Sequence, residues 1–108
     1  MIDVYNKLVR DKIPEIIRQQ GHIPKVRVLD NTEYFNALNQ KLSEELAEYL
    51  ENGCVEELAD IMEVVYAIIK HKGLSPDEFE KVRAQKSSER GAFDDRLYLV
   101  SVEANYTK

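Results

Sequence analysis

Two short acidic runs carry the chemistry open to this chain: Glu44-Glu45-Leu46-Ala47-Glu48 and Glu56-Glu57-Leu58-Ala59-Asp60. Residues three apart on a helix share a face, which pairs Glu45 with Glu48 and Glu57 with Asp60. Asn52-Gly53 lies between the runs and reads as a tight turn between antiparallel helices. In that hairpin Glu48 faces Glu57 and Glu45 faces Asp60, so four carboxylates form two rungs. Packed helix axes lie ~8–10 Å apart, a gap that two carboxylate side chains can bridge to a shared cation. Converging carboxylates must protonate, splay apart or bind metal. Oxygen donors without His or Cys favour Mg²⁺, Mn²⁺ or Ca²⁺ over zinc. A cation so held can polarise a phosphoanhydride and activate water.

A plainer account covers part of this pattern. Glu is a good helix former, and acidic runs often form a solvated helix face. Glu56, Glu57 and Asp60 also fall where a helix N-terminus welcomes negative charge. Glu44, Glu45, Glu48 and Glu51 instead crowd the C-terminal half of a helix, where acids are unfavourable. Lys41 is the only basic residue near them.

The elements that position these acids follow from periodicity. Asp30-Asn31-Thr32-Glu33 starts a long helix carrying Phe35, Leu38, Leu42, Leu46 and Tyr49 at helical steps. A second helix is expected over residues 55–71, with a wide apolar stripe from Leu58 to Ile69. Ser75, Pro76 and Glu78 start a third, expected to reach about Arg90. A short helix is expected over residues 14–20, after an extended stretch at 4–10. Alternation at Val26-Arg27-Val28 and over residues 97–102 predicts two short strands that pair with each other. The expected fold is therefore all-α, with a helical hairpin core, a third helix, a short N-terminal helix and a small peripheral strand pair.

Composition agrees with a single folded domain over residues 1–108. The net charge is −5, distributed as +3 over residues 1–29, −9 over 30–69 and +1 over 70–108. The acidic balance argues against nucleic-acid binding. The longest apolar run, residues 64–69, is too short for a membrane span. The N-terminus lacks a basic region followed by an apolar core, and one cysteine, Cys54, excludes an internal disulfide. A cytoplasmic location is expected. His22, His71 and Cys54 read as surface, capping or packing residues, and Tyr49 and Tyr66 as core or interface residues able to stack on a base.

The motif Glu44-Glu45-x-x-Glu48 followed by Glu57-x-x-Asp60 resembles the signature of the MazG-like all-α nucleoside triphosphate pyrophosphohydrolases. The stretch Tyr5-Asn6-Lys7-Leu8-Val9-Arg10-Asp11-Lys12-Ile13-Pro14-Glu15-Ile16-Ile17 is similar to the opening of a small phosphoribosyl-ATP pyrophosphohydrolase-like branch. Arg90-Gly91-Ala92-Phe93 with Arg96 resembles that branch too. The resemblance implies an oligomeric helical bundle, a homodimer or homotetramer. It implies Mg²⁺-dependent cleavage of a nucleotide between the α and β phosphates, with Mn²⁺ a possible substitute. By the same resemblance, Glu45, Glu48, Glu57 and Asp60 are metal ligands, and Glu44 is a ligand or orients the attacking water, so Glu44 and Glu45 are the catalytic candidates. Lys7, Arg10 and Lys12, with Lys86, Arg90 and Arg96, are candidate cations for the phosphates. The spacer from Glu48 to Glu57 is only eight residues, shorter than is usual in the family. That shortening motivates a second reading, a non-catalytic helical dimer that binds a nucleotide or divalent ion and acts through a partner. A third is a purely structural helical interaction module.

Overall fold

Asp30 organises the start of the longest helix. In the computed structural model, which describes residues 1–104, its carboxylate accepts the backbone N–H of Glu33 at 2.8 Å. The Glu33 side chain reaches back to the backbone N–H of Asp30 at 3.4 Å, which completes a capping box. Four helices follow in chain order: α1 (Ile13–Gln19), α2 (Asn31–Asn52), α3 (Val55–His71) and α4 (Pro76–Arg90). Asp30→Ala removes the cap and is expected to cost about 1 kcal/mol. Chemical denaturation read by far-UV circular dichroism checks this.

Gly53 ends α2 with φ +68, a left-handed conformation that suits glycine, and its N–H bonds the carbonyl of Tyr49 at 2.8 Å. Cys54 is the N-cap residue of α3 and makes no side-chain cap bond. Asn52 Oδ1 instead accepts the Cys54 N–H at 3.0 Å. This short turn returns α3 along α2, and the two pack as an antiparallel hairpin. Leu38, Val64 and Ile69 are its buried apolar residues, and Glu45 is buried as well. At the open end the His71 ring stacks on Phe35 at 5.6 Å and meets Tyr34 edge-on at 5.5 Å. His71 is thus packed against aromatic rings rather than isolated on the surface.

The chain divides into two compact units, Met1–Pro76 and a second beginning at Asp77. The first holds α1 and the hairpin; the second holds nearly all of α4. No helix among the described residues is long and apolar enough to cross a membrane.

The expected strands are absent among the described residues. Residues 22–30 and 97–102 have no regular structure, and Val28 and Leu99 are exposed. Two isolated strands have little independent stability, so alternation alone does not fold them. Arg27 is tied to the start of α2, with Nη1 and Nη2 at 3.2 and 2.8 Å from the Glu33 carboxylate. The stretch at 4–10 is likewise irregular, and Asn6 adopts a positive φ of 45.

Candidate acidic cation site

The hairpin register determines which acids meet. Glu45 projects from the middle of α2, and Glu57 and Asp60 from the first two turns of α3. Carboxylate oxygens of these three lie within 4.8 Å of one another. Glu45 is only 7 % exposed, which is extreme for a glutamate. One of its oxygens pairs with Lys41 Nζ at 3.3 Å, one helical turn back. Its other oxygen, Oε2, is buried without a hydrogen-bond partner, and so is Oε2 of Glu57. Asn52 Nδ2 donates to the remaining Glu57 oxygen at 3.4 Å. Arg10, from the segment before α1, closes the outer edge with Nη2 at 2.6 Å from Asp60 Oδ1.

Glu48 stands beside this group without joining it. Its carboxyl is held above the ordinary carboxylate range by the negative charges of Glu45 and then Glu57, with some loss of hydration beside them adding to the effect. A carboxyl whose pKa is raised in the folded chain binds its proton more readily when folded. Stability without metal therefore falls as pH rises from the ordinary carboxylate range through the raised value. Glu48→Gln is expected to remove this dependence and to raise the Tm of the chelator-treated protein above that range. Thermal melts across pH 4–8 with a chelator present check it, and a variant that melts like the parent at every pH contradicts it.

Two buried carboxylate oxygens without partners are costly to desolvate. They converge with a third carboxylate, and all the donors are hard oxygens. The donor set fits a divalent cation of the Mg²⁺ or Mn²⁺ type.

Glu44 lies one residue along α2 from the group, half-buried and outside it. Of the basic candidates in the first unit, Arg10 is the one that reaches an acid of the group. Lys7 lies over the Tyr5 ring at 5.6 Å, and Lys12 takes the N-cap position of α1. Lys86, Arg90 and Arg96 belong to the second unit and are exposed there. Lys86 and Arg90 are one turn apart on α4, and Arg96 has a positive φ of 59. Lys41 and Asn52 were missed as site residues. The Lys41–Glu45 spacing is the signal for the first; Asn52 carried only a turn signal. Beyond Asp60 on α3, Glu63, Tyr66, Ala67 and Lys70 join Tyr34 in lining a shallow depression of about 310 Å³.

Comparison with known proteins adds one partial relative. Over 42 residues the chain is 55 % identical to a protein of Mycolicibacterium smegmatis named only as uncharacterised, a match that covers 39 % of this chain and 43 % of the relative. The matched stretch thus spans less than half of that relative's length. No family model matches the chain, and no solved structure does.

Proposed function

We propose that the chain is a Mg²⁺-dependent nucleotide pyrophosphohydrolase. It cleaves the α–β phosphoanhydride of a nucleoside triphosphate, or of a nucleotide like phosphoribosyl-ATP, to a monophosphate and pyrophosphate. The observation that carries this reading is the convergence of Glu45, Glu57 and Asp60 with two buried, unpartnered carboxylate oxygens. The similarity of both acidic runs and of the N-terminal stretch to the MazG-like enzymes names the reaction.

Glu45, Glu57 and Asp60 would hold the cation, with Glu48 beside them to complete the set. A bound divalent cation supplies Lewis acidity at the phosphoanhydride and lowers the pKa of water. Of the two catalytic candidates, Glu45 is assigned as a ligand of the cation, and Glu44 as a further ligand or as the carboxylate that orients the attacking water. Lys41 fixes one oxygen of Glu45 and leaves the other for the site. Arg10 has five N–H donors and contacts Asp60 with one terminal nitrogen, so further donors are open to a phosphate oxygen. Lys7 and Lys12 flank it in sequence. The Tyr66 ring, 40 % exposed beside the depression on α3, is a surface on which a base can stack.

Product analysis on a panel of nucleoside triphosphates and phosphoribosyl-ATP tests the proposal. Monophosphate with pyrophosphate, formed with Mg²⁺ and not with chelator, is expected for at least one of them. Mg²⁺-dependent nucleotide binding without turnover on any substrate would instead favour the non-catalytic reading raised by the short spacer.

A further inference from the structure

The depression beyond Asp60 carries charged groups that the cation does not use. Glu63, Tyr66, Ala67 and Lys70 recur at steps of three and four along α3, so they share one face. At ~1.5 Å rise per residue, Glu63 lies about 4.5 Å, Tyr66 about 9 Å and Lys70 about 15 Å along the helix from Asp60. Tyr34 of α2 lines the same space, its ring edge-on to His71 at 5.5 Å. Asp11 enters from the N-terminal segment, next to the Arg10 that pairs with Asp60 at 2.6 Å. Among the described residues, Asp11, Glu63 and Lys70 form no ion pair. The volume of about 310 Å³ is at the small end of the ~300–1,000 Å³ range of ligand pockets, which suits a base rather than a whole nucleotide.

We propose that this depression takes the base of the nucleotide and selects guanine, with Glu63 and Lys70 as the residues that determine the choice. The proposal rests on the reading of the acids as the phosphate end of a nucleotide site. An ionised carboxylate only accepts hydrogen bonds, and an ammonium only donates them. A base that satisfies both must present donors to one and an acceptor to the other. Guanine places N1–H and the 2-amino group side by side, which match the two oxygens of one carboxylate, and its O6 beside them accepts from an ammonium. Adenine sets a ring-nitrogen lone pair where the carboxylate needs a donor, and an amino group where the lysine needs an acceptor. Cytosine offers one amino group and uracil one ring N–H, so neither satisfies both oxygens. Glu63 and Lys70 are two turns apart on one face of α3, with the small Ala67 between them, which leaves room for a ring. Tyr66, 40 % exposed, supplies an aromatic surface for the base to stack on. Asp11, beside Arg10, is an acceptor for a sugar hydroxyl nearer the cation.

Isothermal titration of the full chain with GMP, IMP, AMP and CMP in saturating Mg²⁺ tests it. GMP should bind about tenfold more tightly than IMP, which lacks the 2-amino group, with a wider margin over AMP and CMP. Glu63→Gln should erase most of the preference for GMP over AMP, whereas a merely structural role would weaken all four ligands alike. Lys70→Met should weaken GMP and IMP, which share O6, more than AMP. Equal binding of the four, binding of none, or a GMP preference that Glu63→Gln leaves intact overturns the proposal. Binding and turnover are read separately. A guanine preference without pyrophosphate release from any nucleotide supports the base site and counts against the hydrolase. Pyrophosphate release from GTP and ATP alike, with equal binding of the four monophosphates, overturns the guanine site and leaves the hydrolase standing.

Discussion

Asp60→Asn should lower Mg²⁺-dependent pyrophosphate release by roughly 100-fold or more, the range in which even residues behind a metal's ligands act. The amide keeps the shape of the carboxylate and removes its charge. Asp60 is partly exposed, and its ion pair with Arg10 joins two side chains that are 39 % and 56 % exposed. Such a pair contributes little to stability, so the helices should persist. The variant thus separates the chemistry of the site from the integrity of the fold. Steady-state assays with matched circular dichroism spectra are the check. A variant with parental activity would remove Asp60 from the site.

Lys41→Met should destabilise the metal-free protein by roughly 3 kcal/mol, because it leaves the buried Glu45 charge without its partner. Glu45 is 7 % exposed, and the lysine ammonium at 3.3 Å is its one ion-pair partner among the described residues. Methionine matches the lysine stem in length, so the change is mainly one of charge. For a domain of this size the loss corresponds to a fall in Tm on the order of 10–20 °C. Saturating Mg²⁺ should return much of it, since a ligand that binds only the folded state raises stability. The parent should gain less from Mg²⁺, because its lysine already offsets part of the charge. Equal gains in both proteins would contradict the placement of a cation beside Glu45.

The helices were legible because several local signals agreed at each of them. The capping residues Asp30 and Glu33, the turn at Asn52-Gly53 and the steps of three and four pointed to the same hairpin. Its register followed from the turn: it placed Glu45 opposite Asp60, and it places Tyr34 opposite His71, where the rings meet. The aromatic packing of His71 was therefore implicit in a register already drawn, although His71 read as a surface residue. The contact between Arg10 and Asp60 was not legible, because fifty residues and an irregular segment separate them. The strands failed for a related reason. Alternation at Val26 and over residues 97–102 describes a face, but a strand forms only where another strand supplies its hydrogen bonds. Asn52 was legible as a turn residue and not as the side chain that holds Glu57.

The proposed chemistry depends on a cation held by Glu45, Glu57 and Asp60. Titration of the chelator-treated protein with Mn²⁺, read by electron paramagnetic resonance of the free ion, tests it most directly. One Mn²⁺ per chain is expected, displaced by Mg²⁺ and lost in Asp60→Asn. Free Mn²⁺ that rises linearly from the first addition, or binding that Asp60→Asn leaves unchanged, would contradict it.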